Sequence, residues 1–173
     1  MKVITSHPII EAVLNQHRDA LRSHRKIYRN HVYRGLNYHQ TLLEAPVPDA
    51  AALAWAVHDL GVWTAKTLDY LMPSADLASA HAAEFGISDV DEVRAMVIEH
   101  HKLRRTGSRM IDTFRAADLA DASRGLLAGG IDRARIRAVV GALPYLGFHA
   151  FLAGGLAAHA VRHPTRPLPM FRW

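Results

Sequence analysis

The chain has 173 residues, half of them hydrophobic, which predicts one folded domain and argues against disorder. Its formal net charge is +5, and it has no cysteine, so disulfides and thiolate ligands are excluded. No apolar run reaches the roughly 18 residues of a membrane span, and residues 1–8 lack the apolar segment of a signal peptide. We therefore expect a cytoplasmic protein with no membrane partner.

Apolar residues recur at helical spacing through most of the chain, and strand-like alternation is absent, so the predicted fold class is all-α. The predicted helices are 8–21, 23–43, 49–59, 63–71, 74–86, 88–102, 109–127, 131–143 and 146–162. We expect one domain with an N-terminal helix (1–22), a core (23–128), and C-terminal helices with a proline-rich tail (129–173). The tail cannot be helical throughout, because it contains three prolines.

Residue types that favour helix N-termini mark several of these boundaries. Asp49 follows two prolines and is a predicted N-cap, and Ser88 with an acidic residue three positions later resembles a capping box. Ser74 or Asp76 is expected to cap the helix that follows Pro73. These predicted N-caps indicate that short loops connect the helices.

The dipeptide His58-Asp59 stands at the end of a strongly apolar run and is the most informative feature of the sequence. Two strongly polar groups in this position are costly to bury unless they have a partner, and an imidazole beside a carboxylate suggests a divalent metal ion. Gly61 follows two residues later, where a helix is expected to end. The sequence thus predicts a polar pair at the mouth of a buried helix.

A histidine upstream and aspartates downstream accompany this pair, namely His31, Asp118 and Asp121. The order resembles the H…HD…D pattern of the HD-domain metal-dependent phosphohydrolase superfamily, which is built on a single helical bundle. The resemblance implies that His31, His58, Asp59 and Asp118 bind a divalent transition metal, such as Mn, Fe, Zn, Ni or Co. Asp121, one helical turn beyond Asp118, is the competing choice for the last ligand.

The same resemblance implies an enzyme, a metal-dependent hydrolase of a phosphate ester or nucleotide that uses a metal-activated water. Asp59 would hold both the ion and the water. Arg34 shares a helix face with His31 and could clamp a phosphate, or could equally pair with a structural acid such as Asp59 or Asp118. Lys102 is a candidate for the rim of the pocket. We expect a small anionic substrate rather than nucleic acid, and a homo-oligomer remains open.

The number of ions is open between one, which we favour, and two. Binuclear members of the superfamily add histidines between the doublet and the last aspartate, and this chain offers His81, His100 and His101. Neighbouring helical residues point about 100° apart, so at most one of the adjacent pair should aim straight into the site. The apolar stripe favours His100, but His101 lies next to that stripe and stays open as the alternative. His81 faces inward on its helix, either as a ligand or as an ordinary core histidine.

Two further functions remain open on the same scaffold. One is a diiron oxygenase or a hydratase-type lyase, and the oxygenase would require the extra histidines as ligands. The other is a regulatory protein that binds metal without turnover. Lys102-Leu103-Arg104 stands where cyclic-dinucleotide phosphodiesterases carry Gly-Tyr-Pro after the histidine pair, so we do not expect a cyclic-dinucleotide substrate.

Overall fold

A computed structural model describes residues 2–167 and 169–170. Within these ranges the chain is a helical bundle with no β-strand, which confirms the predicted all-α class. The helices are α1 (Pro8–Gln16), α2 (Arg18–Leu21), α3 (Arg25–Leu43), α4 (Asp49–Val57), α5 (Gly61–Thr64), α6 (Leu71–Glu84), α7 (Val90–Glu99), α8 (Arg109–Ala122), α9 (Arg133–Ala142) and α10 (Phe148–Arg162). Met1, and Leu168 and residues 171–173 of the predicted tail, lie outside the described residues.

The bundle is organised around α3 and α8, which pack against each other more extensively than any other described pair of elements. Helix α4 is apolar on all sides and buried from Ala51 to Val57, because it lies between α1, α3, α6 and α7. Gly35 of α3 permits the close approach of α4, since a Cβ atom there would lie 2.1 Å from a ring carbon of Trp55. No helix in the described ranges combines the length and hydrophobicity needed to cross a bilayer.

The start of α6 differs from the prediction. The helix begins at Leu71 and includes Pro73 in its first turn, where the missing N–H of proline breaks no helical hydrogen bond. The hydroxyl of Ser74 does not cap this helix but accepts a hydrogen bond from the backbone N–H of Gly61 at 3.0 Å. Gly61 opens α5 instead of ending α4, and a Cβ atom there would lie 2.7 Å from the carbonyl oxygen of Tyr70.

Two predicted caps are displaced by one residue. Asp89, not Ser88, caps α7, because its carboxylate accepts a hydrogen bond from the backbone N–H of Glu92 at 3.2 Å. Pro48 occupies the cap position of α4, so Asp49 is the first residue of that helix, where a negative charge is favourable. Helix α7 ends at Glu99, so the two histidines that follow it lie in a turn.

Candidate metal centre

Four side chains with metal-ligating groups meet inside the bundle. His31 lies in the middle of α3, and Asp118 faces it from α8. His58 and Asp59 lie in the turn that follows α4. We call these four residues the candidate metal centre. All four side chains are at least 87 % buried, so their polar atoms are shielded from bulk water.

The distances within the candidate metal centre fit a single ion. The Nε2 atoms of His31 and His58 are 3.0 Å apart. Oδ2 of Asp59 lies 3.5 Å from Nε2 of His31 and 3.4 Å from that of His58. Oδ1 of Asp118 lies 3.5 and 3.7 Å from the same two atoms. Ligands that bind one ion at about 2.1 Å are about 3.0 Å apart at a right angle and about 3.4 Å apart at a tetrahedral angle.

The second ring nitrogen of each histidine is already bonded, which turns Nε2 toward the centre. The Nδ1–H of His31 donates to Oδ2 of Asp121 at 2.8 Å, and the Nδ1–H of His58 donates to the carbonyl oxygen of Trp55 at 2.9 Å. Hydrogen bonds of this kind fix the orientation of metal-binding histidines in proteins. Asp121 is therefore a support for His31, and Asp118 supplies the oxygen that faces the centre.

Arg34 makes an ion pair with Asp121 inside the bundle. Its guanidinium group is fully buried and donates to Asp121 twice, from Nε at 2.6 Å and from Nη2 at 2.9 Å. Its Nη1 donates to the carbonyl oxygens of Leu143 and Pro144 at 3.1 and 3.2 Å. Because these bonds hold the group away from solvent, they favour pairing with a structural acid over a catalytic role for Arg34. It pairs with a structural acid, and that acid is Asp121 rather than Asp59 or Asp118.

The electrostatics of the centre favour positive charge. Burial alone would lower the pKa of His31, but hydrogen bonds to Asp121 and Asp59 outweigh it and raise this pKa to about 9. Burial likewise opposes ionisation of Asp118, but its hydrogen bond to His58 and the charges of nearby histidines lower its pKa to about 2. The pKa of Asp59 lies well below its usual range for a similar reason. Ionised carboxylates in a buried site provide the charge that a cation requires.

A second group of ligands adjoins the group formed by His31, His58 and Asp118. Asp59, His100 and His101 each offer a ligand atom within 4.8 Å of the others. Oδ1 of Asp59 faces Nε2 of His100 at 3.5 Å, and within the described residues neither atom makes a hydrogen bond, although both are buried. Since buried polar atoms are nearly always bonded, two facing atoms of this kind indicate space for a ligand between them. The chemistry of these donors fits a divalent cation.

Both members of the histidine pair lie beside Asp59, contrary to the expectation that only one would. The expectation assumed that α7 continues through both histidines. The helix instead ends at Glu99, so the directions of the two side chains are no longer set 100° apart by helical geometry. The Nδ1–H of His100 donates to the carbonyl oxygen of Val97 at 2.7 Å, which leaves Nε2 toward Asp59. Burial lowers the pKa of His101 to about 3, so its ring is neutral.

His81 does not join either group. Its Nε2 lies 2.9 Å from Nε2 of His17, and its Nδ1 donates to Glu84 at 3.0 Å. The prediction that its side chain points inward is nevertheless correct, since only 6 % of the residue is exposed. Of the two alternatives for His81, a ligand of the candidate metal centre or an ordinary core histidine, these contacts do not favour the first.

Two aromatic residues at the site had no signal in the sequence. Phe148, the first residue of α10, stacks on the ring of His31 with centroids 4.3 Å apart. The hydroxyl of Tyr70 lies 2.8 Å from Nε2 of His101. The sequence indicated Asp121 only as an alternative metal ligand, not as a partner of His31. Its spacing of three residues from Asp118 places both carboxylates on one face of α8.

A cleft of about 850 Å³ opens beside the centre, and we call it the basic cleft. His100, His101 and Asp118 line its inner end. Its cationic lining residues are Lys102, Arg105, Arg109 and Arg115. Lys102 pairs with Glu99 at 3.0 Å, whereas Arg105 is exposed and has no acidic partner among the described residues. Such a cleft can attract an anionic molecule toward the candidate metal centre.

Comparison with known proteins gives no match to this chain, whether with family models, curated proteins or solved structures. The resemblance to the HD-domain superfamily therefore rests on the residues of the chain itself.

Proposed function

We propose that this protein is an HD-type, metal-dependent hydrolase of a phosphate ester or nucleotide. The observation that carries the proposal is that the Nε2 atoms of His31 and His58 lie 3.0 Å apart, with one oxygen of Asp59 and one of Asp118 each 3.4–3.7 Å from both nitrogens. A divalent transition metal bound there would supply an acidic water and a Lewis acid for a phosphoryl oxygen. Mn, Fe, Zn, Ni and Co all suit imidazole and carboxylate ligands.

The residues around the centre have roles that suit this reaction. Asp59 is the only residue that presents one oxygen to each ligand group, with Oδ2 toward His31 and Oδ1 toward His100, among those the structure describes. Its carboxylate could therefore hold an ion and orient a bound water by accepting a hydrogen bond from it. Lys102 and Arg105 in the basic cleft would bind the phosphate oxygens of a small anionic substrate. A cytoplasmic location is part of the same proposal.

The test begins with elemental analysis of protein purified without added metal, followed by a panel of phosphate esters and nucleotides. We expect bound transition metal and hydrolysis of at least one substrate. Asp59→Asn should lose both, because a neutral amide is a poorer metal ligand than a carboxylate and removes a negative charge from the site. Asp91→Asn is the matched control, since Asp91 is exposed on α7 and lies outside both ligand groups.

The outcomes separate the competing functions. Metal that binds without turnover on any phosphate ester would favour the regulatory metal-binding protein over the hydrolase. Full metal content and turnover in Asp59→Asn would refute the assignment of this residue. Protein that takes up no transition metal even when it is supplied would refute the metal site itself.

A dinuclear centre is the second candidate, and the group formed by Asp59, His100 and His101 supports it. Two ions bridged by a carboxylate lie about 3.5–4 Å apart in many hydrolases, and such a centre also allows a diiron oxygenase. Iron retained during anaerobic purification, together with oxygen consumption in the presence of an organic substrate, would favour the oxygenase. Activity with redox-inert Zn or Mn would favour the hydrolase.

A further inference from the structure

His17 and His81 form a pair that the candidate metal centre does not use. His17 follows α1, and His81 lies in α6. Their Nε2 atoms are 2.9 Å apart, close to the 3.0 Å between the Nε2 atoms of His31 and His58. His81 is buried and His17 is half-buried, so one side of the pair is open to solvent.

A carboxylate holds the far nitrogen of one of these rings. Oε2 of Glu84 accepts a hydrogen bond from the Nδ1–H of His81 at 3.0 Å, and Nε2 of Gln16 donates to the other oxygen of Glu84 at 2.5 Å. This arrangement keeps the lone pair of His81 on Nε2, as Asp121 does for His31. Burial, with a smaller contribution from the charge of His81, lowers the pKa of His17 and favours the neutral ring that binds metals.

We propose that His17 and His81 bind a divalent transition ion such as Ni²⁺, Zn²⁺ or Cu²⁺ at a site separate from the candidate metal centre. Two neutral imidazoles suit these ions better than Mg²⁺ or Ca²⁺, which prefer oxygen ligands. The spacing of 2.9 Å corresponds to two ligands at about a right angle on one ion at about 2.0–2.1 Å. Water would occupy the positions on the exposed side of His17.

An ion at this site would connect two parts of the fold that are far apart in sequence. His17 and His81 are separated by 64 residues, and they join the end of α1 to the last turns of α6. Because an ion that bridges them binds the folded chain but not the unfolded one in this way, it should raise the thermal stability of the protein. The inference does not depend on the proposed hydrolase function, since the two sites share no residue.

The experiment compares Ni²⁺ binding by the wild type, His17→Gln and His81→Gln, each with its candidate metal centre already loaded and loosely bound ions removed. We expect the wild type to bind one Ni²⁺ more than either variant and to show a larger rise in Tm on addition of Ni²⁺. His24→Gln is the control, because His24 is a half-buried histidine that packs beside Trp63 and Phe151 and lies outside the His17–His81 pair. Its Ni²⁺ stoichiometry should match that of the wild type.

A spectroscopic measurement gives a second readout. Cu²⁺ bound to the wild type should show an electron paramagnetic resonance signal with nitrogen hyperfine coupling, and this species should be missing in His17→Gln. Far-ultraviolet circular dichroism reports whether each variant is folded, and His17→Gln alone decides the matter if His81→Gln unfolds. Equal stoichiometry, spectra and Tm shifts in the wild type and His17→Gln would show that the pair is only an internal hydrogen bond.

Discussion

Asp121 accepts the Nδ1–H of His31 at 2.8 Å, and neither side chain is more than 1 % exposed. Arg34 in turn donates hydrogen bonds to both oxygens of the Asp121 carboxylate. The ring of His31 is thus held by a chain of charged groups that ends on the backbone carbonyls of Leu143 and Pro144. The direction of a single imidazole depends on three separate segments of the bundle.

Asp121→Asn should weaken metal binding at the candidate metal centre without removing a ligand. The amide is a poorer acceptor for His31 and leaves the buried Arg34 without its ionic partner, and loss of such a support typically reduces metal affinity about 10–100-fold. Breaking a buried ion pair should also lower the free energy of unfolding by about 3–5 kcal/mol. Metal competition and urea unfolding measure the two effects.

Asp118→Ala provides the comparison for that variant. It removes an oxygen that faces both Nε2 atoms of the centre, so it should abolish tight metal binding while leaving the Asp121–Arg34 pair in place. The opposite ranking, with metal retained in Asp118→Ala and lost in Asp121→Ala, would identify Asp121 as the ligand.

His100→Gln should affect a second ion and spare the first. Nε2 of His100 faces Oδ1 of Asp59 at 3.5 Å but lies outside the group formed by His31, His58 and Asp118. If the dinuclear candidate holds, the wild type in excess Mn²⁺ should bind one ion tightly and another more weakly, and the variant should lose only the weaker one. Isothermal titration with Mn²⁺ measures both steps, and loss of the tight step in the variant would contradict this division of ligands.

The buried ring of His39 should make the fold sensitive to mild acid. Burial lowers the pKa of His39 from its usual 6.5 to about 4, and its Nδ1 accepts a hydrogen bond from Nε1 of Trp55 at 3.1 Å. Between these pH values the unfolded chain binds a proton that the folded chain does not, so stability falls as the pH drops from about 6.5 to about 4. The loss attributable to this residue is about 3 kcal/mol.

His39→Gln provides the measurement for that effect, because glutamine can still accept from Trp55 but does not titrate. The free energy of unfolding, measured by urea at several pH values, should fall less steeply in the variant between pH 6.5 and 4. Parallel curves for the wild type and the variant would show that other groups cause the acid sensitivity.

Gly35→Ala should destabilise the bundle, since the added methyl group would lie 2.1–2.3 Å from two ring carbons of Trp55. Overpacking of this kind costs about 1–3 kcal/mol and should lower Tm by several degrees. Gly141→Ala in α9 is the matched control, because its Cβ atom would meet no atom within 4 Å and alanine favours the helix. Equal stability of Gly35→Ala and the wild type would show that α4 can move to accommodate the methyl group.

The sequence was sufficient to predict the all-α class and to name the residues that lie around His31. Apolar periodicity and loop prolines carry the first. The resemblance to the H…HD…D pattern carries the second. The acid that pairs with Arg34 was not predictable, because Asp121 lies 87 residues away and nothing local indicates which carboxylate faces the guanidinium group. The position of His101 depended on where α7 ends, and helix ends are poorly determined by local sequence.

The contact between Phe148 and His31 has a consequence for the order of events during synthesis. Every residue of the candidate metal centre has left the ribosome once Asp118 has emerged, yet the carbonyls that hold Arg34 and the ring that stacks on His31 are still to come. A nascent chain that stops before Leu143 therefore carries all its ligands without the frame that orients one of them. Metal capture by the growing polypeptide should be weak until the beginning of α10 is translated.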